Sequence, residues 1–319
     1  MTLSRLAVQA LRHWTDTPAA PRLLSHRENA VFAVTLASGE PAALRLHRPG
    51  YNSIEDIRWE LWWTEALAKR GFPVPRPVFT PKGEALVALD EEQVATVISW
   101  VDGGPIGVSS APLAGTDQDQ TTLYHRVGAL LARLHQQTDA LNLPEAFQRR
   151  SWDSDGLLGP DPLWGRFWLH PGLTAAQSDL IGTARAKAVA DLAAYQKTSR
   201  NFGLIHADAL RENVFRSGEA LTLIDFDDSG FGYRMFDLAV AVSQSLEDAN
   251  YDNLSAAIID GYQTVLPLTP ADTSRMALFA LLRTFASLGW IVPRLPAGEA
   301  SHAKFIRRAV MQSERYLSQ

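Results

Sequence analysis

Asp102-Gly103-Gly104-Pro105 is the stretch that most constrains how this chain can fold, because two glycines and a proline within four residues end any regular element. Hydrophobic residues are spaced differently on its two sides. Before it, residues 29–37 (NAVFAVTLA) and 41–47 (PAALRLH) read as strands joined through Ser38-Gly39-Glu40, a hairpin. Over residues 53–70, Ile54, Ile57, Leu61, Trp62, Ala66 and Leu67 recur at three-to-four spacing between a Ser53 N-cap and a Gly71 stop, which predicts a helix. Pro73, Pro75 and Pro77 impose an extended connection. Residues 84–89 and 93–100 then predict two more strands around the turn Asp90-Glu91-Glu92.

Beyond the break the period becomes helical, as in Leu123, Val127, Leu130, Leu131 and Leu134. Further helices are expected over 173–197, 234–247, 252–265 and 271–289, with 145–170 irregular. The expectation is an α+β chain of two lobes. Residues 1–101 form a small antiparallel sheet with one main helix, and 102–319 a larger, mainly helical part.

Composition narrows the partners. A net charge of −5 leaves no basic footprint for a nucleic-acid backbone. No apolar run approaches the roughly 20 residues that span a bilayer. The absence of cysteine excludes disulfides, thiolate catalysis and cysteine-bound zinc, and suits a cytoplasmic setting. Near the start, Arg5, Arg12 and His13 accompany Leu3, Leu6, Ala7, Ala10 and Leu11 at helical spacing. An ordinary amphipathic first helix is expected there, in preference to a mitochondrial presequence.

The chemistry concentrates between Phe202 and Asp228, FGLIHADALRENVFRSGEALTLIDFDD. Phosphoryl transfer needs a carboxylate beside the acceptor hydroxyl, an amide oxygen to hold Mg²⁺ and brace the loop, and a second carboxylate on the metal. Asp208, Asn213 and Asp225 supply that set in that order. Residues 214–215 and 221–224 read as a strand pair around Ser217-Gly218, with Asn213 before it and Asp225 after it. Each of the three residues alone could merely satisfy a turn, but the spacing of all three matches the template.

HADALREN and LIDFDD make the chain resemble the aminoglycoside phosphotransferase and choline kinase superfamily, closest in look to its homoserine kinase type II and stress-response kinase group. The resemblance runs over nearly the whole chain and implies a kinase-like fold using ATP and Mg²⁺. By it, Asp208 is the catalytic aspartate, His206 braces the catalytic loop, and Asn213 and Asp225 are magnesium ligands. Asp227 is either a ligand of a second metal ion or a turn cap. Asp237 either ties a helix start back to the loop or is a simple N-cap. On the nucleotide side, the resemblance implies that Arg45 binds phosphate with Glu60 as its partner, and that the backbone around Ser99 and Val101 meets the adenine.

Two departures stand out. Arginine occupies position 45 where the pattern has lysine, and His26-Arg27-Glu28-Asn29-Ala30 contains no glycine where a glycine-rich loop is usual. For the acceptor, Trp152, Asp153, Asp155 and Trp290 are candidates, since an amine-bearing substrate suits carboxylates and aromatic faces. Equally, the tryptophans 152, 164 and 168 could pack the irregular segment, and Trp290 with Arg294 could be a helix end.

The preferred expectation is a Mg²⁺-ATP phosphotransferase acting on a hydroxyl of a small molecule: an aminoglycoside, an amino alcohol or a hydroxy amino acid such as homoserine. A protein serine/threonine kinase and a weak nucleotide-binding pseudokinase are the alternatives. The short passage from Asp225 through Gly230 and Gly232 to the next helix leaves little room for a peptide-binding activation segment.

Overall fold

The computed structural model describes residues 2–16, 20–26, 28–89, 93–296 and 298–319. The expected turn at Asp90-Glu91-Glu92, and Arg27 of the glycine-free loop, lie outside the described residues. The chain begins with α1 (Leu3–Leu11), β1 (Arg22–His26), β2 (Ala30–Thr35), β3 (Pro41–Leu46), α2 (Ile54–Lys69), β4 (Leu86–Ala88), β5 (Val94–Ser99) and β6 (Gly104–Pro105). Then follow α3 (Asp117–Asp139), β7 (Ser151–Trp152), α4 (Ser154–Leu158), α5 (Ala175–Ala193), β8 (Phe202–Ile205), β9 (Val214–Ser217), β10 (Ala220–Leu223) and β11 (Gly230–Tyr233). The last elements are α6 (Arg234–Val242), α7 (Tyr251–Gln263), α8 (Pro270–Thr273), α9 (Met276–Ile291) and α10 (Ala300–Leu317).

These elements divide into two compact units. The first comprises Met1–Gly104, Leu141–Arg149 and Phe215–Asp227; the second comprises Pro105–Ala140, Arg150–Val214 and Asp228–Gln319.

In the first unit an antiparallel sheet runs β1-β2-β3-β5-β4. Alternation puts Phe32, Val34, Ala42, Leu44 and Leu46 on one face, packed with Ala7, Ala10, Leu11 and Trp14. Here α1 is an ordinary amphipathic helix whose apolar stripe is buried. Between Leu44 and Leu46, Arg45 projects to the opposite face, where α2 supplies Glu60. A reciprocal capping box fixes the start of α2: Ser53 Oγ accepts from Asp56 N at 3.0 Å, and Ser53 N donates to Asp56 Oδ2 at 3.2 Å. Such a cap contributes about 1 kcal/mol.

Two later segments join this unit through side chains of α2: Phe147 packs against Trp59 and Trp62, and Phe226 meets Trp63 edge-on at 5.2 Å. Strand β1 went unpredicted because its residues are all exposed, Leu23 and Leu24 included, so its sequence carries no alternation.

In the second unit α3 and α7 cross backbone to backbone. A Cβ on Gly128 would lie 2.0 Å from Ile258 O, and one on Gly261 would lie 1.8 Å from His125 O, so neither position admits a side chain. The apolar α9 is buried along most of its length, with Phe285 stacked on Phe167 at 4.4 Å. A small sheet, β7-β11-β8, carries the segment His206–Asp208 at the end of β8. The α10 helix was not predicted, and α6 ends at Val242 rather than running to 247 because the next residues tighten into a 3₁₀ turn, Ser243–Ser245.

Candidate active site

In the second unit, β8 ends at Ile205 and the chain turns through His206, Ala207 and Asp208. Ala207 takes a φ of 64°, a left-handed conformation that costs an L-residue on the order of 1 kcal/mol. Fully buried Asp237 over-determines this turn. Its carboxylate accepts from His206 N at 2.9 Å, Ala207 N at 2.6 Å and the His135 ring nitrogen Nε2 at 2.9 Å. His135 Nδ1 in turn meets Tyr262 Oη at 2.8 Å, so α3, α6 and α7 converge on the loop. The N-cap of α6 is Tyr233, which leaves Asp237 as the loop's anchor and not a helix cap.

Asp208 sits at the open end of this scaffold with about 19% of its side chain exposed. Asn213 Nδ2 donates to both its backbone oxygen, at 2.8 Å, and its Oδ2, at 2.9 Å. Arg283 Nη2, from α9, donates to Oδ1 at 2.9 Å. Burial raises the Asp208 pKa to about 6, with Arg283 pulling against it and Asp228 and Glu212 pushing the same way as burial. The result is a carboxylate that is ionised at neutral pH yet more basic than usual, the condition a general base needs. Buried His206 accepts at Nδ1 from Asp208 N at 3.2 Å.

Two further residues of the motif brace the loop. Arg211 donates to Tyr124 Oη at 3.2 Å and to Ser245 Oγ, and Glu212 accepts from Ser109 N at 2.6 Å and Gln244 Nε2 at 2.7 Å.

The first unit holds a separate charged cluster. Arg45 Nη1 donates to Glu60 Oε1 at 2.7 Å, while Nη2 reaches Asp227 Oδ1 and, at 3.4 Å, Asp225 Oδ1. One guanidinium is thus shared by three carboxylates. Burial pushes the Glu60 pKa up to about 7, Arg45 opposing and Asp227 assisting. Burial acts in the same sense on Asp227, but there Arg45 and His47 outweigh it and hold the carboxyl well below the usual range. Beside them His47 is kept neutral: burial first, then the Arg45 charge, lower its pKa to about 3.

Asn29, in the glycine-free loop, donates to Asp227 Oδ2 and accepts from Arg48 N at 3.1 Å. Arg149 binds the backbone oxygens of Phe226, at 3.1 Å, and Asp227, at 2.9 Å. Nothing in the local pattern around residue 149 announces that role.

Each unit presents an oxygen donor of the kind a hard divalent cation takes. The Asp225 side chain is 46% exposed and its backbone is left-handed, φ 64°, at the end of β10, while Asn213 spends only its amide nitrogen on Asp208. Oxygen ligands of this kind, completed by substrate phosphates and water, are what Mg²⁺ takes in phosphoryl-transfer sites. Among the described residues no group of three or more His, Asp or Glu side chains could hold a metal by itself. Both oxygens of Asp227 are engaged, by Arg45 and Asn29, which makes it an anchor for the guanidinium.

The acceptor candidates serve the local fold. Trp152 is fully buried, stacked on Phe236 at 5.5 Å, with its ring N–H donating to Asp228 O at 2.7 Å. Asp153 caps α4 and pairs with Lys197 at 2.8 Å, and exposed Asp155 donates its N–H to that cap. Trp290 lies under the Arg294 guanidinium, which bonds back to Trp290 O at 2.9 Å, a helix-end arrangement. Ser99 is tied to Arg76 through backbone and hydroxyl, and Val101 follows in the connection after β5.

Trp164 is the aromatic residue packed on Arg283. It carries the Arg283 guanidinium over its ring at 4.8 Å and touches Trp152 edge-on. Arg283 escaped the sequence reading, although one charge inside the apolar run MALFALLRTFASLGWI was the available signal.

A small sheet lobe with a buried Arg–Glu pair and a helical unit presenting an Asp–Asn pair define a kinase-like phosphotransferase. The profile of the phosphotransferase enzyme family matches residues 20–279, and the chain belongs to that family. It is 30% identical over 262 residues to a homoserine kinase of Gluconobacter oxydans, covering 78% of this chain and 74% of that protein. Among solved structures it is similar to a microcompartment-associated aminopropanol kinase, with a TM-score of 0.84 and 30% identity over 98% of this chain and 97% of that one. The amicoumacin kinase hAmiN, solved in complex with AMP-PNP, Ca²⁺ and Ami, shares the fold at a TM-score of 0.81 and 18% identity, over 99% of this chain and 94% of that one. The chain is accordingly a small-molecule phosphotransferase with a hydroxyl group as acceptor. Among the described residues no helix is long and apolar enough to cross a membrane.

Proposed function

We propose that the protein transfers the γ-phosphoryl group of Mg²⁺-ATP to the hydroxyl of a small hydroxylated amine or amino acid, with homoserine and aminopropanol as the leading acceptors. The observation that carries this reading is half-buried Asp208, held by Asn213 on one side and Arg283 on the other, with its pKa raised to about 6. In the proposed reaction Asp208 orients the acceptor hydroxyl and takes its proton at a carboxylate oxygen. His206 and Asp237 keep the loop in the strained turn that presents Asp208.

Asn213 and Asp225 hold Mg²⁺, whose charge offsets that of the transferring phosphoryl oxygens. Arg45 binds the nucleotide phosphates, positioned by Glu60 and Asp227, and the backbone around Ser99 and Val101 receives the adenine. The names of the relatives support both acceptors: homoserine for a protein 30% identical in sequence, aminopropanol for a structure at the same identity. A cytosolic setting, which a chain without cysteine suits, completes the proposal.

The test is ADP release with Mg²⁺-ATP over a panel of hydroxylated amines, amino acids and aminoglycosides, run beside Asp208→Asn. A productive acceptor should raise release in the native protein and lose on the order of 10²–10⁴-fold in the variant. If no acceptor exceeds the variant's background, the reading fails.

A further inference from the structure

Around Asp208 the second unit gathers buried hydrogen-bond donors that have no acceptor among the described residues: Arg283 Nε, Arg283 Nη1 and the ring N–H of Trp164. Arg283 and Trp164 are both buried, at 6% and 8% exposed. A buried donor without an acceptor costs free energy, more so when charged, and native proteins rarely leave one without a use. The position of the guanidinium over the Trp164 ring, at 4.8 Å, holds it through its face but gives its in-plane N–H groups nothing to bind. Only Nη2 is engaged, by Asp208 Oδ1 at 2.9 Å. The group is donor-only, and its natural complement is an anion.

We infer that Arg283, with Trp164 beside it, reads a carboxylate on the phosphate acceptor, so that the acceptor presents its hydroxyl to Asp208 and a carboxylate oxygen to one of the free donors of Arg283, Nη1 or Nε. This rests on the phosphotransferase reading above and names the acceptor class within it: short hydroxy acids, in preference to amino alcohols. Scale agrees. A hydroxyl on Asp208 and an anion on a free donor of a guanidinium already bonded to Asp208 stand roughly two hydrogen bonds apart, about 5–6 Å, the span of a three- or four-carbon hydroxy acid. A charge-assisted bond from arginine also favours a carboxylate over water or a neutral group.

The experiment uses acceptors that differ only in the carboxylate: L-homoserine against 3-amino-1-propanol, and L-threonine against 1-amino-2-propanol. Values of kcat/KM with Mg²⁺-ATP are measured for the native protein, Arg283→Met and Arg283→Lys. At least one acid should be preferred over its decarboxylated partner, and Arg283→Met should shrink that preference by about 30-fold, chiefly through KM, with Arg283→Lys restoring part of it. Native preference for the amino alcohols overturns the inference. So does an equal loss on both members of a pair, which would make Arg283 a positioning residue for Asp208 alone.

Should Arg283→Met fail to fold, calorimetric titration of Asp208→Asn with the same pairs decides: tighter binding of the acid supports the inference, and equal binding overturns it. Failure of the phosphotransferase reading looks different. No acceptor in the wider panel would raise ADP release, and Asp208→Asn would bind neither member of any pair, which overturns both.

Discussion

Two arginines, one in each unit, face opposite problems. Arg45 is shared by three carboxylates, Glu60, Asp225 and Asp227, with buried Arg149 close by on the backbone oxygens of Phe226 and Asp227. Arg283 is a buried cation with one carboxylate and donors to spare. A guanidinium shared among carboxylates marks a place where further cations or phosphate-bound metal are welcome. One short of anions marks a place for an acid. In the proposed reaction the same residue type serves the nucleotide in one unit and the acceptor in the other, and only the balance of partners separates them.

The largest effect that would break this contrast is on stability. Arg45→Met leaves three carboxylates without their cation, and the loss should be about 3–5 kcal/mol in urea unfolding followed by tryptophan fluorescence. Arg45→Lys should recover less than half, since a point charge cannot reach Glu60 and Asp227 at once as the guanidinium fork does. Full stability in Arg45→Met would show that the cluster does not depend on it.

Next comes pH. His47 has a folded pKa of about 3, below its unfolded value, so its contribution is present above pH 6.5 and is lost as pH falls toward 3. Glu60, raised to about 7, works in the opposite sense: its contribution is present below pH 4.5 and is lost as pH rises to 7. Over the shared window the two slopes oppose each other. His47→Gln should therefore change the pH dependence of unfolding free energy by about 1.4 kcal/mol per pH unit, leaving a protein that gains stability as pH falls from 6.5 to 4.5. An unchanged slope would place His47's charge elsewhere.

Smaller effects belong to the second unit. The acid limb of kcat/KM should fall near pH 6, where Asp208 protonates. Arg283→Met removes the main group opposing burial and should move that limb upward by on the order of one pH unit. Asp228→Asn should move it the other way by less, since Asp228 raises the same carboxyl. A limb indifferent to both substitutions would mean that another group sets it.

How much of this was visible beforehand depends on whether the signal is local. The strands β2, β3, β4 and β5, the helix α2 and the Asp208–Asn213–Asp225 spacing follow from alternation, capping and turn chemistry within a few residues of one another. Arg45 and Glu60 could be paired because each sits at a fixed phase of its own element. By contrast, Trp152 and Asp153 looked like binding groups in a segment without period, and only their packing partners show that one fills the core and the other caps α4. Arg149, Trp164 and Arg283 gain their roles from contacts across long stretches of chain, which no window of sequence contains.

The sequence by itself determined the class of fold and the class of reaction, because local periodicity sets the elements and the spacing of Asp208, Asn213 and Asp225 along one loop and one hairpin matches the phosphoryl-transfer template. Tertiary structure decided which arginine is crowded by acids and which is left with unpaired donors. That balance is a sum over neighbours brought together by packing, and burial, which also comes only from packing, makes it energetically decisive.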